Sequence, residues 1–514
     1  MRNFLVSRMQ AIPRRPRASG DPVTFSTGRK AEALGPRLRG GEAGVRALVL
    51  AAACVLAGCA VGPDYKRPDA PVTPAFKEAS ADAPAWAGDW KFAEPQDAQA
   101  RPEWWRVFGD SELDALMSQV QVNNQNIKAA EAQYRQAQAL LQAARAGYFP
   151  TLGASANVSR GTGGSGNNRT IGNSQSVSLA ADWEIDVWGR VRRQVEASTA
   201  NAQASQADLA STLLSTQATL AQSYFLLRVA DAQKALLERT VSDYAKSLQL
   251  VQNQYNVGTA QRSDVLQSEA QLKSAQAQLV DIEITRSQLE HAIAVLIGQP
   301  PANVAVATSQ FRRAPPVVPV AVPSQLLERR PDIASAERGM AAANAQIGVA
   351  QAAYYPSLSL SASGGLGAAT LSRFMSLPDR VWAIGAGLAG TIFDGGARAA
   401  AKAQAVAAYD QTVANYRQTV LTAFQEVEDN LAAARLLEQE YAIQTDALRA
   451  ARDALALVNN RYKAGTASLL DVLTAQTTAY QAEQTQLSIA GRRYTASVVL
   501  VKALGGGWEG PRED

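Results

Sequence analysis

The feature that most constrains this chain is an internal repeat. Residues 253–298 align without a gap with residues 460–505, 207 positions further on. Each copy contains a tight break between two helical patterns, at 255–266 in the first and at 462–473 in the second. A repeat outweighs the division into about three domains that length alone suggests. We therefore expect two copies of one structural unit, each with a helical hairpin whose tip is this break.

The first copy, residues 111–298, predicts a helix, a β-hairpin, a long helix, the tip and a last helix. From Leu113 to Ala144 apolar residues keep the spacing of a coiled-coil seam, with Ser111 as the expected N-cap. The period then changes to two, which predicts a hairpin over about 150–187 with one apolar and one polar face. Residues 189–252 predict one helix about 95 Å long, which implies a long bundle.

The second copy, residues 324–505, repeats this order. Its hairpin is expected over about 356–393, followed by another long helix, the tip at 462–473 and a last heptad helix. Residues 299–323 contain six prolines and predict a connector between the copies. Residues 506–514 are expected to form a C-terminal tail.

The positive charge of the chain lies at its front. The chain holds 50 Lys and Arg against 46 Asp and Glu. Residues 1–58 alone hold ten of the basic and only three of the acidic residues. The remainder therefore has 40 basic against 43 acidic residues. Because the body is mildly acidic, a nucleic-acid partner is not expected.

An apolar run at residues 47–57 has the length of a signal peptide and is too short to span a bilayer. It ends in Leu-Ala-Gly-Cys, which resembles a bacterial lipobox, so Cys59 is expected to become the lipidated N-terminus. The alternative is a buried free cysteine. We predict a leader and lipoprotein signal peptide over 1–58, in which 1–44 is a start-site artefact.

The mature chain then begins at Cys59 and holds no second cysteine, so no internal disulfide is expected. Residues 59–110 are rich in proline at first and lack periodicity, which predicts an extended N-terminal arm. Several acyl chains on Cys59 would anchor the protein stably, because a single chain gives only reversible binding.

The alternating strands suggest a membrane barrel. An apolar face towards lipid and a polar face towards a wet lumen suit strands of about ten residues in an exported protein, although an ordinary solvated sheet has the same alternation. Four strands close no barrel, and an open sheet edge is forbidden in lipid. The chain must therefore form an oligomer if the strands cross a membrane.

Several motifs together resemble those of the TolC-like outer-membrane efflux family, in its NodT-type or OprM-like lipoprotein branch. They span nearly all of residues 59–508 and are as follows: Val61-Gly62-Pro63-Asp64-Tyr65 after Cys59, Trp104-Trp105 with Phe108 and Leu113, Glu328-Arg329-Arg330-Pro331-Asp332, Tyr-x-x-Gly-Thr in both tips, and Lys502-Ala503-Leu504-Gly505-Gly506-Gly507-Trp508.

The resemblance implies a mainly α fold with a small β part. Long antiparallel coiled-coil helices form a periplasmic α-barrel, and four transmembrane strands per chain close as a 12-stranded β-barrel in a homotrimer. Such a protein is the outer-membrane exit duct of a tripartite pump, a passive gated channel for drugs and other small molecules. Its partners are a periplasmic adaptor, an inner-membrane transporter driven by protons, and outer-membrane lipid.

The resemblance also assigns roles within the tips. Tyr462 matches a latch tyrosine and Asp471 a ring of aspartates at the periplasmic gate, with Asp264 as the corresponding acid of the first tip. Three converging carboxylates would repel one another, which raises their pKa values and attracts cations. Asp471 equally fits a helix-capping box, and Asp264 fits a structural role better than a gating one.

The sequence departs from some members of this family in the second tip, with Ala467 where a latch arginine can stand and Thr474 where a second ring aspartate can stand. Arg461 or Lys463 are the alternatives for closing the gate. In both tips the Gly-Thr pair has two expected roles, the left-handed turn that glycine permits and contact with the adaptor. These residues are Gly258, Thr259, Gly465 and Thr466.

No motif for catalysis, a cofactor or a metal is present in the sequence, so no enzyme is expected. His291 is the only histidine, and the glycine-rich run 161–166 lacks the Lys-Ser/Thr of a phosphate loop. Arg286 and Arg493 occupy heptad positions that usually hold apolar residues. They suit the lumen or an ion pair between helices, but we expect a solvated face.

Two alternatives to a drug-efflux duct stay open. The first keeps the fold and exports metal ions or a secreted product. The second is a periplasmic coiled-coil structural lipoprotein without a pore, which the alternating strands with Trp183 and Trp382 disfavour.

Overall fold

The computed structural model describes residues 60–71, 73, 76–78, 103–163, 170–309, 311, 314–316, 329–368 and 380–506. Within these ranges the chain is mostly helical and carries one small antiparallel sheet, as the fold prediction stated. None of the helices in this part of the chain is long and apolar enough to cross a membrane.

Seven helices and four strands of the described chain follow the predicted order. They are α1 (Ser111–Asn123), α2 (Gln125–Ala146), β1 (Thr151–Gly163), β2 (Thr170–Ile185), α3 (Arg190–Asn256), α4 (Arg262–Leu296), α5 (Pro331–Ala352), β3 (Ser357–Ala368), β4 (Arg380–Ala389), α6 (Ala397–Lys463) and α7 (Leu469–Ala503). Both long helices, α3 and α6, have 67 residues, and both final helices, α4 and α7, have 35.

The predicted first helix is interrupted at Asn124. This residue has extended backbone angles, and its side-chain oxygen accepts hydrogen bonds from the backbone N–H groups of Asn126 and Ile127. Its Nδ2 donates to the carbonyl of Leu296 over 2.7 Å. The break is therefore an internal N-cap that also ties α1 and α2 to the end of α4.

The expected N-cap at Ser111 is wrong by one residue, because Asp110 has this role. One oxygen of Asp110 accepts from the backbone N–H groups of Glu112 and Leu113. The other accepts from the hydroxyl of Tyr224 over 2.7 Å. The carboxylate of Asp110 therefore caps the start of α1 and binds an α3 side chain at the same time.

The four strands form one sheet in the order β1-β2-β3-β4, antiparallel throughout. The register brings most apolar residues of the four strands to one face, as the pairs Leu152–Ala181, Trp183–Leu360 and Ala362–Ile384 show. The prediction of one apolar and one polar face is confirmed, because the opposite face is made of small and polar residues apart from Val381. β1 and β4 have no neighbour on their outer sides within the described chain.

The helices form a layer four helices wide at each level. Beside the sheet the order is α2, α3, α5, α6, and towards the tips it is α4, α3, α7, α6, because α3 packs on α2, α4, α5 and α7. The two repeats therefore meet in the middle of the layer. One edge is formed by α2 and α4, and the other by α6.

The largest apolar core lies where the two repeats meet, between α1, α3, α4 and α7. The rings of Phe225 and Tyr494 approach to 4.4 Å between centroids, and Phe108 lies 4.9 Å from Phe225. Trp104 and Trp105 of the recognised motif are buried in the same core. The motif is thus a packing element at the start of the helical layer.

Arg286 and Arg493 do not lie on a solvated face, so that expectation is wrong. Their side chains are 16 % and 14 % exposed. Arg286 Nε donates to Asp231 of α3 over 2.7 Å, and Nη2 donates to the carbonyl of Val306. Arg493 lies over the ring of Tyr441. The ion pair between helices, which the sequence left open, is the observed arrangement for Arg286.

The arm after Cys59 lies along the helices. The backbone N–H of Val61 donates to the carbonyl of Trp188, next to the end of β2. Tyr65 donates to Glu337 over 3.0 Å, and burial against this carboxylate raises the pKa of Tyr65. Further along, the ring of Phe76 contacts that of Phe424.

Arg193 of α3 holds this segment in place. Its side chain is only 5 % exposed and binds Asp64 and Glu196, each over 2.8 Å. It also donates to the carbonyls of Val61 and Gly62. One buried guanidinium therefore organises the first residues after the predicted lipidation position. Cys59 itself lies outside the described residues.

Candidate functional site: the two helical tips

Each tip begins where a long helix ends in a left-handed glycine. Gly258 has φ +77° and Gly465 has φ +71°. The N–H of Gly258 donates to the carbonyl of Tyr255, and that of Gly465 donates to Tyr462. A residue with a Cβ is strained at such angles, so glycine is required for the turn.

The threonine after each glycine completes the cap. The backbone N–H and the hydroxyl of Thr259 both donate to the carbonyl of Gln254, over 2.9 and 3.0 Å. Thr466 makes the same two bonds to the carbonyl of Arg461, over 2.9 and 3.1 Å. The two threonine hydroxyls are therefore occupied by the chain itself, which explains the Gly-Thr pair in structural terms.

Asp264 and Asp471 both close capping boxes at the start of the next helix. Asp264 accepts from the backbone N–H of Gln261 over 3.0 Å, and Asp471 accepts from the backbone N–H of Ser468 over 2.9 Å. The hydroxyl of Ser468 donates to Asp471 as well, over 2.8 Å.

The hydrogen bonds from the Ser468 backbone and hydroxyl, with the nearby charge of Arg461, hold the pKa of Asp471 below its ordinary value of 3.8. Within one chain the capping hydrogen bonds lower the pKa of Asp471, whereas three converging carboxylates are expected to raise it. Asp471 is therefore ionised at neutral pH in the described arrangement.

Tyr462 joins the two tips. Its hydroxyl donates to Oε1 of Gln254 over 2.7 Å, and this bond crosses from α6 to α3. Arg461 donates to the carbonyl of Thr466, so it stabilises its own turn. Gln254 was missed at the sequence level. The only hint is that the repeat aligns Gln254 with Arg461, an unlike pair in otherwise similar tips.

The tips and their surroundings show no group of His, Cys, Asp and Glu able to hold a metal ion, nor does the rest of the described chain. The tips are well exposed instead. Val257 is 75 % and Leu470 is 57 % exposed, and both stand beside the turns. Exposed apolar side chains beside the turns suit contacts with another protein surface.

A model of the outer membrane efflux protein family matches residues 116–299 and 322–506, which is more than half of the chain. The chain belongs to this family. Both matched segments coincide with the two repeats described above. The resemblance inferred from the sequence motifs is thereby confirmed.

Relatives of this efflux protein cover nearly its whole length. It is 33 % identical over 453 residues to the pyoverdine export outer membrane protein OpmQ of Pseudomonas aeruginosa, which covers 86 % of this chain and 94 % of that protein. It is 31 % identical over 474 residues to outer membrane protein OprJ of the same species, covering 91 % and 96 %.

Solved structures agree with this assignment. The outer-membrane channel OprN superposes with a TM-score of 0.78 at 31 % identity, covering 88 % of this chain and all of that one. CusC superposes with a TM-score of 0.76 at 26 % identity, covering 87 % and all of that chain. The efflux protein is thus an outer-membrane exit duct that extends into the periplasm. Its family is one of transport ducts rather than enzymes.

Proposed function

We propose that three copies of this efflux protein close into one gated duct of a tripartite pump. In this arrangement a 12-stranded β-barrel stands in the outer membrane above a cylinder of helices in the periplasm. The observation that carries the proposal is that both the sheet and the helical layer end in open edges related by the repeat. Each edge therefore has a partner surface of known shape on another copy.

The sheet supplies the first pair of edges. β1 and β4 are unpaired on their outer sides in the described chain, and lipid offers no hydrogen bonds to their backbone groups. An edge of one copy that pairs with the opposite edge of the next generates a ring when the rotation closes. Three copies give twelve strands, an even number in the range of known barrels.

The repeat also predicts the register between copies. β3 is the image of β1 and β4 the image of β2, because Leu152 pairs with Ala181 as Leu358 pairs with Leu388. Within the chain, Ala181 of β2 pairs with Ala362 of β3. In the other repeat, Leu388 of β4 corresponds to Ala181 and Ala156 of β1 corresponds to Ala362. The same contact, made between two copies, therefore places Leu388 opposite Ala156 of the partner subunit.

The helical layer supplies the second pair of edges. Inside the chain α3 meets α7, where the position of a Cβ on Gly491 lies 3.7 Å from Cβ of Val229. In the other repeat, Gly491 corresponds to Ile284 on α4 and Val229 corresponds to Leu436 on α6. These two residues are 53 % and 52 % exposed. Two exposed apolar residues at matching positions of opposite edges support a contact between copies.

The tips are the proposed periplasmic gate. The Tyr462–Gln254 bond holds the two tips of one chain together, and Asp471 is the proposed ring carboxylate on the axis. Asp264 closes a capping box as Asp471 does and is proposed as the corresponding acid of the first tip. Because the latch arginine is absent at Ala467, we assign closure to the Tyr462 bond and not to a ring of ion pairs.

The exposed turns are the proposed docking points for a periplasmic adaptor. Gly258, Thr259, Gly465 and Thr466 form two similar turns, so one adaptor surface fits both. A helical partner with apolar side chains suits the exposed Val257 beside the first turn. An inner-membrane transporter driven by protons supplies the energy, because the duct itself is passive.

The proposed cargo is small organic molecules. Relatives are named for the export of pyoverdine, of antibiotics and of toluene, and this range of chemistry suits a wide polar lumen better than a shaped pocket. Lipidation at Cys59 is proposed to anchor the arm that Arg193 holds beside the sheet.

Cysteine pairs across the predicted register test the assembly. Leu388→Cys and Ala156→Cys in one chain should give disulfide-linked dimers and trimers on a denaturing gel, because directly opposite side chains lie about 4.5–5.5 Å apart. The matched control is Leu388→Cys with Asn157→Cys, whose side chains point to opposite faces. A purified protein that yields only monomers from both pairs contradicts the proposed ring.

A further inference from the structure

Two adjoining cavities lie on one face of the helical layer. The upper one, nearer the sheet, has a volume of about 550 Å³ and is lined by α3, α4, α6 and α7. The lower one has a volume of about 300 Å³ and is lined by α3, α4 and α7. Gln233 of α3 lines both. We call the two cavities together the wall groove.

On α3 the wall groove lies on the side opposite α1. Tyr224 and Arg228 of α3 bind Asp110 and Glu112 at the start of α1. Leu226, which lines the groove, is two residues from each of these α3 side chains. Two residues turn a helix by about 200°, so Leu226 points to the other side of α3.

On α6 the groove lies on the side opposite the arm. The arm contacts Phe424 and Glu428 of α6. Ala433 and Leu437 line the groove, and each follows one of these contacts by nine residues, which is two and a half turns. The arm follows the predicted lipidation position, so it lies on the outer side of the proposed duct. The groove therefore faces the lumen.

The helical layer also bends towards the groove. α4 and α7 lie on either side of α3, and yet the hydroxyl of Tyr480 on α7 donates to Gln278 on α4 over 2.8 Å. Both residues line the lower cavity. One heptad nearer the tip, Gln271 of α4 donates to Thr477 of α7 over 2.8 Å. Helices that flank a third helix approach each other on the concave side of a layer, which is the inner side of a closed ring.

The upper cavity is mainly apolar. Leu226, Leu289 and Leu437 line it together with valine and alanine side chains, and Leu226 is 41 % exposed. Arg492 also lines this cavity, and its charge is paired with that of Glu440 over 3.3 Å. An apolar group that fills this space is removed from water without stripping water from an unpaired charge.

The lower cavity is polar. Gln233, Gln278 and Gln484 line it together with the hydroxyl-bearing ring of Tyr480. Asp281 stands among them as an exposed carboxylate. These side chains offer hydrogen-bond acceptors and a negative charge to one end of a molecule whose body fills the upper cavity.

The basic side chains of this region are already paired. Lys234 binds Glu283 over 2.9 Å, and Arg286 binds Asp231 over 2.7 Å. The charge of Asp281 therefore sets the preference at the lower end of the groove, and it favours an amine or another organic cation over an anion.

We propose that the wall groove binds amphipathic organic cations on the inner wall of the duct. The apolar body lies against Leu226 in the upper cavity, and the cationic end points to Asp281 in the lower one. The two volumes suit a small molecule, because such sites usually measure about 300–1,000 Å³. The inference rests on the duct proposed above and names a class of cargo that its wall holds. Because the groove opens on the lumen, a bound molecule also leaves readily, as conduction requires.

Ethidium, a flat aromatic cation, is the probe for this site. Its fluorescence polarisation with the purified full-length protein in detergent measures binding. Leu226→Gln should weaken binding about tenfold, at the lower end of what a lost apolar contact costs. Asp281→Asn should weaken it only about threefold to fivefold, because a solvated ion pair contributes little, whereas Asp281→Glu should bind as the wild type does.

Leu250→Gln is the matched control. Leu250 stands on the same helix, is 45 % exposed and is not among the residues that line either cavity, so this variant should keep wild-type affinity. Thermal melting should be unchanged in both leucine variants, because both side chains are largely exposed. In planar bilayers ethidium should lower the single-channel current, and Leu226→Gln should need about ten times the concentration for the same block.

Each part of the proposal has its own refutation. The site is overturned if the wild type shows no saturable binding, or if Leu226→Gln and Leu250→Gln bind equally well. Binding that never lowers the current overturns the position of the site on the lumen wall. Assembled protein that forms no channels contradicts the duct itself, whatever its affinity for ethidium, and the luminal position of the site with it.

Discussion

Arg193→Met should release the arm from the helices without unfolding the protein. The guanidinium is 5 % exposed and contacts the carbonyls of Val61 and Gly62 and the carboxylate of Asp64. Hydrogen bonds to charged groups contribute about 1.5–3 kcal/mol each, and Asp64 regains water because it is 88 % exposed. We expect the arm to lose about 2–3 kcal/mol of docking free energy.

Limited trypsin digestion measures this loss. Lys66 is exposed and stands in the arm, so cleavage after it tracks the population of the detached arm. Since 1.4 kcal/mol is a factor of ten, the cleavage rate should increase about 30- to 150-fold. Arg192→Met is the matched control, because that neighbouring arginine is 39 % exposed and pairs with Asp186, which does not belong to the arm. Equal cleavage rates for both variants would refute the assigned role of Arg193.

Three further predictions concern the tips, the core and the anchor. The cap of Asp471 should persist from pH 7 to pH 5 and be lost only below pH 3.8, the ordinary pKa of an aspartate. A depressed pKa in the folded protein gives stability that is complete above the ordinary pKa and is lost as the pH falls through the depressed one. Hydrogen exchange at the second tip measures this loss, and loss near pH 5 would count against the cap. Arg228→Met should destabilise the protein by about 3 kcal/mol, because its 3 % exposed side chain pairs with the buried Asp231. Lys234→Met is the control and should matter little, because the pair of Lys234 with Glu283 is half-exposed. Thermal melting of the purified protein compares the two variants. Cys59→Ser should abolish labelling with radioactive palmitate, and continued labelling would remove the lipoprotein proposal.

Much of the fold was predictable because periodicity is a local property. The change from a heptad period to a period of two after Pro150 places β1 correctly, and the repeat places β3 and β4. The break at Asn124 was not predictable in this way. Its cause is a bond to the carbonyl of Leu296, 172 residues away, while asparagine in a heptad pattern is itself unremarkable.

The candidate site was predictable only in part, for a related reason. The turn glycines and capping aspartates are local features, so Gly465 and Asp471 were found from sequence. Gln254 acts across the repeats and has no local signature. Arg286 shows the same limit, because the charge of an arginine predicts exposure unless the acid on the neighbouring helix, Asp231, is known.

The most direct test of the central claim is the single-channel conductance of the purified full-length protein in planar lipid bilayers. The open edges and the family predict discrete current steps from an assembled trimer, with larger steps after Tyr462→Phe. A trimer that inserts into the bilayer and passes no current, with or without this substitution, would contradict the duct.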